Sequence, residues 1–188
     1  MSLESTKAYI VNDEFVNKKG LCGLVNLGNT CYMNVILQCL SNSKLLMKYF
    51  LENHYVNDVN HDNDDKDIVV EFNSLLRGLW YKNSVVNPNK FHSTIQLNSL
   101  KKNMIQFSGY GQNDSQEFLQ FILEGMHNSL SKKVKMSIEG TIKNELDKLA
   151  VSAVKSWISY FKNDYSKIIE LFYGQYISKL LTIEKGQS

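Results

Sequence analysis

Apolar residues recur along most of the chain with the spacing of helix faces. After Thr30 they fall at positions 33, 36, 37 and 40, the i, i+3, i+4, i+7 pattern of one helix face, which predicts a helix from Thr30 to about Ser41. Similar stripes or capping signals predict five further helices, at residues 45–53, 67–80, 88–100, 112–127 and 146–161. The chain is therefore expected to be mainly helical.

The pattern changes after Ser166. The segment LFYGQYISKLLTI (171–183) is aromatic, β-branched and interrupted by glycine, which predicts strands. We therefore expect an α+β fold with three parts. Residues 1–19 form a leader, residues 20–165 a helical subdomain, and residues 166–188 the beginning of a sheet.

One segment of low complexity interrupts the helical part. Residues 57–67 (NDVNHDNDDKD) contain five aspartates and His61. Such a cluster could hold a hard cation, but it lacks the glycine and the terminal glutamate of a calcium loop. We therefore expect a solvated acidic loop.

Composition and charge exclude several classes of function. The chain has 188 residues, 43% of them hydrophobic, which suits one domain with a buried core. Its 21 basic and 19 acidic residues are interspersed and give a net charge of +2, and Arg77 is the only arginine. This distribution lacks the basic surface of a nucleic-acid-binding protein, so we expect no nucleic-acid partner.

The location expected for the chain is intracellular, in the cytoplasm, the nucleus or both. No apolar run reaches the length of a membrane span, and the N-terminus lacks the apolar core of a signal peptide, so we also expect no membrane partner. Three cysteines are an odd number without the spacing of a disulfide framework, which favours a reducing environment.

The cysteine at the start of the first predicted helix is the strongest chemical signal. A helix N-terminus favours negative charge, so Cys31 stands where a thiolate nucleophile would be stabilised, with Asn29 and Thr30 as candidate caps. The side-chain amide of Asn26 could donate to an oxyanion. Free cysteines are commonly buried and inert, so on these grounds a packing role for Cys31 remains the alternative.

The other two cysteines have weaker surroundings. Cys22 lies in an apolar Gly-Leu-Cys-Gly run, and Cys39 lies in the middle of the helix among Leu and Ile. We expect both to be packing residues.

Three ordered motifs resemble one protease family. GLVNLGNTCYMNVILQCL (23–40) resembles the cysteine box of the ubiquitin-specific proteases (peptidase family C19), and FSGYGQNDSQEFLQFILEGMH (107–127) resembles their glutamine-aspartate box. AVKSWISYFKNDYSKIIELFYGQYISKL (153–180) is similar to the segment that leads into the family's fingers subdomain. The branch of large multidomain members is the most similar. The resemblance implies a papain-like fold, represented by its helical thumb and the first strands of palm and fingers.

The resemblance also implies an activity and two catalytic roles. Members of the family are thiol hydrolases that cleave after the C-terminal glycine of ubiquitin. Cys31 matches the nucleophile, and Asn26 matches the side chain of the oxyanion hole. The expected partners are ubiquitin or ubiquitinated proteins, and no cofactor is expected.

Residues of the second motif match the family's substrate-binding positions. Asp114 matches the acidic residue that binds ubiquitin's extended C-terminal tail, and Gln116 a glutamine that contacts ubiquitin. Gln112 and Tyr32 are weaker candidates for the lining of the cleft. Asp114 has a structural alternative, because Asp-x-x-Glu before an apolar run is a capping box that pairs it with Glu117.

The base that a thiol protease needs is not evident in this chain. None of the four histidines stands in a motif like the family's histidine box, and each is expected to be a surface or structural residue: His54, His61, His92 and His127. We therefore expect the base to lie outside this chain, and the chain alone to be inactive. If the longer protein lacks the histidine box, a non-catalytic ubiquitin-binding scaffold is the alternative; a helical interaction domain is a third.

A second departure concerns zinc. Where the family often has a C-x-x-C knuckle, this sequence has Thr182 and Lys185. Neither residue can supply a thiolate, so we expect no metal at this half of such a site.

Overall fold

The computed structural model describes residues 20–81 and 85–178. This part of the chain contains seven α-helices, which are α1 (Cys31–Ser41), α2 (Lys44–Leu51), α3 (Lys66–Tyr81), α4 (Asn89–Lys101), α5 (Ser115–Leu130), α6 (Glu145–Phe161) and α7 (Lys167–Phe172). Short 3₁₀ turns occupy His54–Asn57 and Ile105–Phe107. The six helices predicted from apolar spacing and capping signals are confirmed, and α7 is additional.

Helix α5 lies at the centre of the packing. It contacts α1, α3 and α7, while α3 also packs against α2 and α4. The fully buried aromatic side chains of this core come from several helices and turns: Phe50, Phe72, Phe91, Phe107, Phe118 and Phe121. One consequence is that α1, which carries Cys31, is held directly against the helix that follows Asp114.

A glycine allows α3 and α5 to approach closely. A Cβ atom at Gly125 would lie 2.6 Å from Cδ1 of Ile68, which is itself fully buried. Such a contact is shorter than side chains tolerate in a packed core. A side chain at Gly125 would therefore force the buried Ile68 side chain to shift within the α3–α5 interface.

The predicted start of helix α4 is displaced by one residue. The sequence pattern predicts a helix from residue 88, whereas the helix begins at Asn89 and Pro88 is its N-cap residue. Asn87 still binds the helix start, because its Oδ1 accepts a hydrogen bond from the backbone N–H of Asn89 at 3.0 Å.

The prediction of strands from residue 171 onward is wrong for the part that the structure describes. Leu171 and Phe172 belong to α7, whose N-cap Ser166 accepts a hydrogen bond from the N–H of Ile169 at 3.3 Å. Tertiary burial of the α7 isoleucines favours the helix over the β-branched preference of the segment. Residues 173–178 form no strand, and residues 179–183 lie outside the described residues.

Within residues 20–81 and 85–178, backbone pairing of the β type is limited to two isolated bridges. Leu24 pairs with Val86 in parallel, and Lys132 pairs with Tyr165 in antiparallel orientation. The predicted leader (1–19) lies outside the described residues.

The acidic loop is only partly solvated, which corrects the sequence-based prediction. Asp65 is 4% exposed, and its Oδ2 pairs with Nζ of Lys102 at 2.8 Å and accepts a hydrogen bond from Asn128 at 3.1 Å. Asp58 accepts a hydrogen bond from the Tyr49 hydroxyl at 2.6 Å. These carboxylates therefore link the loop to α2, to α5 and to the residue that follows α4. In the described part of the chain no cluster of three or more acidic, His or Cys residues is arranged to hold a metal ion.

Replacing Lys102 by methionine is expected to destabilise the fold. The variant keeps an unbranched side chain of similar length but removes the ammonium group. The Asp65 carboxylate is then buried without its counter-charge. Loss of one partner of a buried pair costs about 3 kcal/mol of unfolding free energy, which urea denaturation would measure. Lys101→Met, at the exposed neighbouring position, is the matched control. A loss of less than about 1 kcal/mol would mean that the pair behaves as an exposed one.

None of the described helices is long and apolar enough to cross a membrane.

Candidate active site

The loop before α1 is anchored by the helix that it precedes. We call residues 20–30 the cysteine loop. Nε2 of Gln38 donates to the carbonyl oxygen of Cys22 at 2.9 Å, and Nδ2 of Asn34 donates to that of Val25 at 3.1 Å. The N–H of Val25 also donates to the carbonyl oxygen of Val86 at 3.0 Å. Side chains one and two turns into α1 therefore fix the path of the loop to Cys31.

Asn26 organises the second half of the cysteine loop. Its Oδ1 accepts hydrogen bonds from the N–H groups of Gly28 (3.0 Å) and Thr30 (3.2 Å) and from the Thr30 hydroxyl (3.1 Å). The Thr30 oxygen in turn accepts from the N–H of Leu27 at 2.9 Å. Gly28 and Asn29 adopt positive φ angles of 98° and 54°, which close this turn. All the side-chain hydrogen bonds of Asn26 to described residues use Oδ1, so its Nδ2 group has no partner among those residues.

Cys31 is the first residue of α1 and is exposed. Thr30 occupies the N-cap position, but its side chain does not cap the helix, so the prediction of a Thr30 cap is wrong. By contrast, α5, α6 and α7 each have a side-chain cap, supplied by Asp114, Asn144 and Ser166. The hydroxyl of Thr30 is bonded within the cysteine loop instead. Within the described part of the chain, the first N–H groups of α1 beside the thiol thus have no side-chain cap.

Asn29, the other predicted cap, joins the two sequence motifs. Its Nδ2 donates to the carbonyl oxygen of Tyr110 at 3.0 Å, across a sequence separation of 81 residues. Sequence reasoning missed this role, because an Asn before a helix gives the same local signal whether it caps the helix or binds a distant loop. The contact brings the cysteine loop against the loop that precedes α5.

Tyr32 is buried between α1 and α5. It is 5% exposed and packs edge-on against Phe118 of α5, with ring centroids 5.2 Å apart. Burial raises the pKa of the Tyr32 hydroxyl, a hydrogen bond with the Asn113 side chain lowers it, and the charge of Cys31 raises it further. Tyr32 therefore helps to position the helix that carries Cys31, and its role in lining the cleft stays a prediction.

Asp114 is the N-cap of α5. Its Oδ1 accepts hydrogen bonds from the N–H groups of Gln116 at 2.7 Å and Glu117 at 3.1 Å. The N-cap role of Asp114 is thus confirmed, with both bonds on one oxygen, whereas the described residues show no return hydrogen bond to the Glu117 carboxylate that would complete a capping box. Asp114, Gln116 and Gln112 are all exposed. They lie on the segment that follows Tyr110, so the structure brings the second motif to the same side of the molecule as the cysteine loop.

No histidine in the described residues forms a hydrogen bond with Cys31. His127 contacts Oγ of Ser166 at 2.8 Å and Oδ2 of Asp164 at 3.2 Å, which ties α5 to the start of α7. His92 is 1% exposed, and burial lowers its pKa. The remaining two are surface residues, His54 and His61. These contacts and exposures confirm the expectation that each histidine is a structural or a surface residue.

The other cysteines differ in exposure. Cys22 is buried as expected, whereas Cys39 is exposed, so the prediction that Cys39 packs in the core is wrong. The apolar residues near Cys39 in sequence lie on a neighbouring face of α1. That face packs into the core, and Cys39 does not lie on it. The protein thus has two exposed thiols on one helix. Thr182 and Lys185, at the expected zinc position, lie outside the described residues.

Solved structures resemble part of this chain. The structure of the SAGA Ubp8/Sgf11/Sus1/Sgf73 DUB module bound to ubiquitin aldehyde covers 59% of this chain and 24% of the matched one, at 29% identity and a TM-score of 0.48. A second structure of the SAGA DUB module, bound to monoubiquitin, matches with 27% identity and a TM-score of 0.47, over 59% of this chain and 25% of that chain.

Sequence comparison gives longer matches. Ubiquitin carboxyl-terminal hydrolase 2 of Homo sapiens is 39% identical over 89% of this chain and 27% of its own length, and ubiquitin carboxyl-terminal hydrolase 4 of Mus musculus is 38% identical over 88% and 17%. The chain thus spans about a quarter or less of these curated relatives. The family model described as ubiquitin carboxyl-terminal hydrolase matches residues 22–187. The chain belongs to the ubiquitin carboxyl-terminal hydrolase family, and its helical, described part is a fragment of the papain-like catalytic domain of the ubiquitin-specific proteases.

Proposed function

We propose that this chain supplies the nucleophile and the oxyanion hole of a thiol-dependent deubiquitinase, which hydrolyses the isopeptide bond after the C-terminal glycine of ubiquitin. The observation that carries the proposal is the presence of two groups available to a substrate, a thiol and a side-chain amide. The exposed thiol of Cys31 stands at a helix N-terminus without a side-chain cap, and the Asn26 amide keeps both N–H donors available. A nucleophile beside fixed donors is the arrangement that acyl transfer requires.

The proposed reaction begins when the base takes the proton of the Cys31 thiol and the resulting thiolate attacks the glycine carbonyl carbon. A C–S bond forms, and the electron pair of the carbonyl double bond moves to oxygen, where Nδ2 of Asn26 and open N–H groups of α1 donate to it. The intermediate collapses, the C–N bond breaks, and the leaving lysine amine takes a proton from the base. Water, which loses a proton to that base, then attacks the thioester carbon. The C–S bond breaks, the ubiquitin carboxylate is released, and the sulfur of Cys31 regains its proton from the base.

The base in this scheme comes from outside the chain. Each of the four histidines is engaged elsewhere, buried, or on the surface without a hydrogen bond to Cys31. We therefore expect the 188-residue chain alone to turn over no substrate, and the longer protein to supply a histidine held by Asp or Asn.

The test uses the longer protein. A ubiquitin whose C-terminus carries a thiol-reactive group is expected to label it, and a ubiquitin–amide fluorogenic reporter is expected to be cleaved. Unlabelled ubiquitin in excess should suppress the labelling, which separates directed reaction from general alkylation. Ubiquitin binding without labelling or cleavage would contradict the enzyme and favour the non-catalytic scaffold.

Asp114 is proposed to bind the basic, extended tail of ubiquitin while it caps α5. One oxygen accepts both cap hydrogen bonds, so the carboxylate retains a second oxygen for substrate. Asp114→Asn keeps a cap acceptor and removes the charge. We expect it to raise KM for the ubiquitin reporter about tenfold, because a charge-assisted hydrogen bond contributes about 1.5 kcal/mol, while kcat and stability change little.

Asp114→Ala separates the two roles. It removes the cap as well as the charge, so it should raise KM similarly and also lower the free energy of unfolding by about 1 kcal/mol. If Asp114→Asn left KM unchanged, Asp114 would be a cap alone.

A further inference from the structure

The loop before α5 is held by α4. We call residues 107–111 the glycine loop, after its two glycines. Nε2 of Gln96 donates to the carbonyl oxygen of Ser108 at 3.2 Å, and the ring of His92 lies against the ring of Tyr110, with centroids 5.5 Å apart. His92 is 1% exposed, whereas Tyr110 is 64% exposed. A rigid helix therefore fixes an otherwise exposed tyrosine from one side.

The same tyrosine is bound from the other side by the cysteine loop. Its carbonyl oxygen accepts the 3.0 Å hydrogen bond from Nδ2 of Asn29, which lies two residues before Cys31. Asn29 has a φ angle of 54°, in the left-handed region that Asn tolerates better than most residues. His92, Tyr110 and Asn29 thus form a continuous connection from α4 to the start of α1, which we call the Tyr110 link.

We propose that Asn29 and His92 are positioning residues that act on Cys31 through Tyr110. Neither side chain performs a chemical step. The Tyr110 link holds the cysteine loop at a defined distance from the loop preceding α5, so that the thiol and the Asn26 amide face one substrate position. The catalytic consequence rests on the proposed deubiquitinase function, whereas the ordering of the loop does not.

Two single variants break the link at different ends. Asn29→Gly keeps the left-handed backbone and removes the amide donor, and His92→Ala removes the ring behind Tyr110. Each is expected to lower kcat of the longer protein on a ubiquitin reporter by about tenfold, since small displacements of reacting groups have effects of this size. KM should change by less than about threefold, because neither variant replaces a residue proposed to bind ubiquitin.

The double variant provides the decisive comparison. If both residues act through Tyr110, Asn29→Gly combined with His92→Ala should be within about twofold of the more affected single variant, because independent sites would instead multiply their effects. His92→Phe restores a ring and should recover most of the activity, which also covers failure of the alanine variant to fold. Asn53→Gly is the control for the backbone, since Asn53 also has a positive φ of 61° but binds Arg77.

Hydrogen exchange tests the link independently of activity. The N–H groups of Leu27, Gly28 and Thr30 are bonded within the cysteine loop, so both single variants should speed their exchange by about tenfold, with Asn53→Gly unchanged. Unchanged exchange in either variant, or multiplicative kcat losses, would overturn the proposal. Faster exchange in a longer protein that cleaves no ubiquitin would overturn the proposed function and leave the loop-ordering link supported.

Discussion

Replacing Cys31 by serine is expected to abolish cleavage of a ubiquitin–amide reporter by the longer protein, with a fall in kcat of about a thousandfold or more. A serine hydroxyl is far less acidic than a thiol, and a site arranged for a thiolate gives it little activation. Labelling by the thiol-reactive ubiquitin should disappear together with the activity. Ubiquitin binding should persist, because the change replaces one exposed atom.

Cys39→Ser is the matched control for this experiment. Cys39 is the other exposed thiol of α1, so it tests whether exposure on that helix is sufficient for reaction. Full labelling and activity are expected in Cys39→Ser and in the buried Cys22→Ser. Labelling that survived in Cys31→Ser and disappeared in Cys39→Ser would place the nucleophile at the other end of α1 and refute the proposed mechanism.

Replacing Asn26 by alanine is expected to lower kcat of the longer protein by about 100-fold to 1,000-fold, the range found when one oxyanion donor is removed. The variant also deletes the acceptor for three hydrogen bonds in the cysteine loop. Steady-state kinetics on the ubiquitin reporter measure the loss. Hydrogen exchange at residues 27–30 measures how far the loop has loosened.

Asn26→Asp separates the donor from the loop acceptor. An aspartate at this position can accept the same three hydrogen bonds but offers no N–H to an oxyanion, and its charge opposes the developing one. We expect its kcat to fall at least as far as that of Asn26→Ala, while exchange in the loop stays near the wild-type rate. If Asn26→Asp kept wild-type kcat, Asn26 would serve only to shape the loop.

The helices could be predicted because their apolar residues face one shared core. Positions 33, 37 and 40 are buried along α1 as their spacing indicates, and α3 and α5 behave in the same way. The error at residues 171–172 arises from the opposite situation. The segment there is short, so its aromatic and β-branched composition carried the prediction, whereas burial of Ile168 and Ile169 beside α5 determines the helix.

The candidate site was predictable in its residue types and less so in its contacts. Cys31, Asn26 and Asp114 lie in motifs, so their positions could be proposed from sequence. The hydrogen bond of Asn29 to Tyr110 spans 81 residues, and no local pattern reports it. Likewise, Thr30 could equally bond to α1 or to its own loop, and only the folded turn around Asn26 determines which.

The open start of α1 has a consequence for stability engineering. Optimising helix caps is a common route to thermostable variants, and Thr30→Asp is the substitution that such a strategy would choose, because an N-cap aspartate typically contributes about 1 kcal/mol. That carboxylate would occupy the N–H groups beside Cys31 and add a negative charge where the proposed oxyanion forms. Thermostability and turnover are therefore opposed at this position, and selection for heat resistance alone would remove the proposed catalytic function.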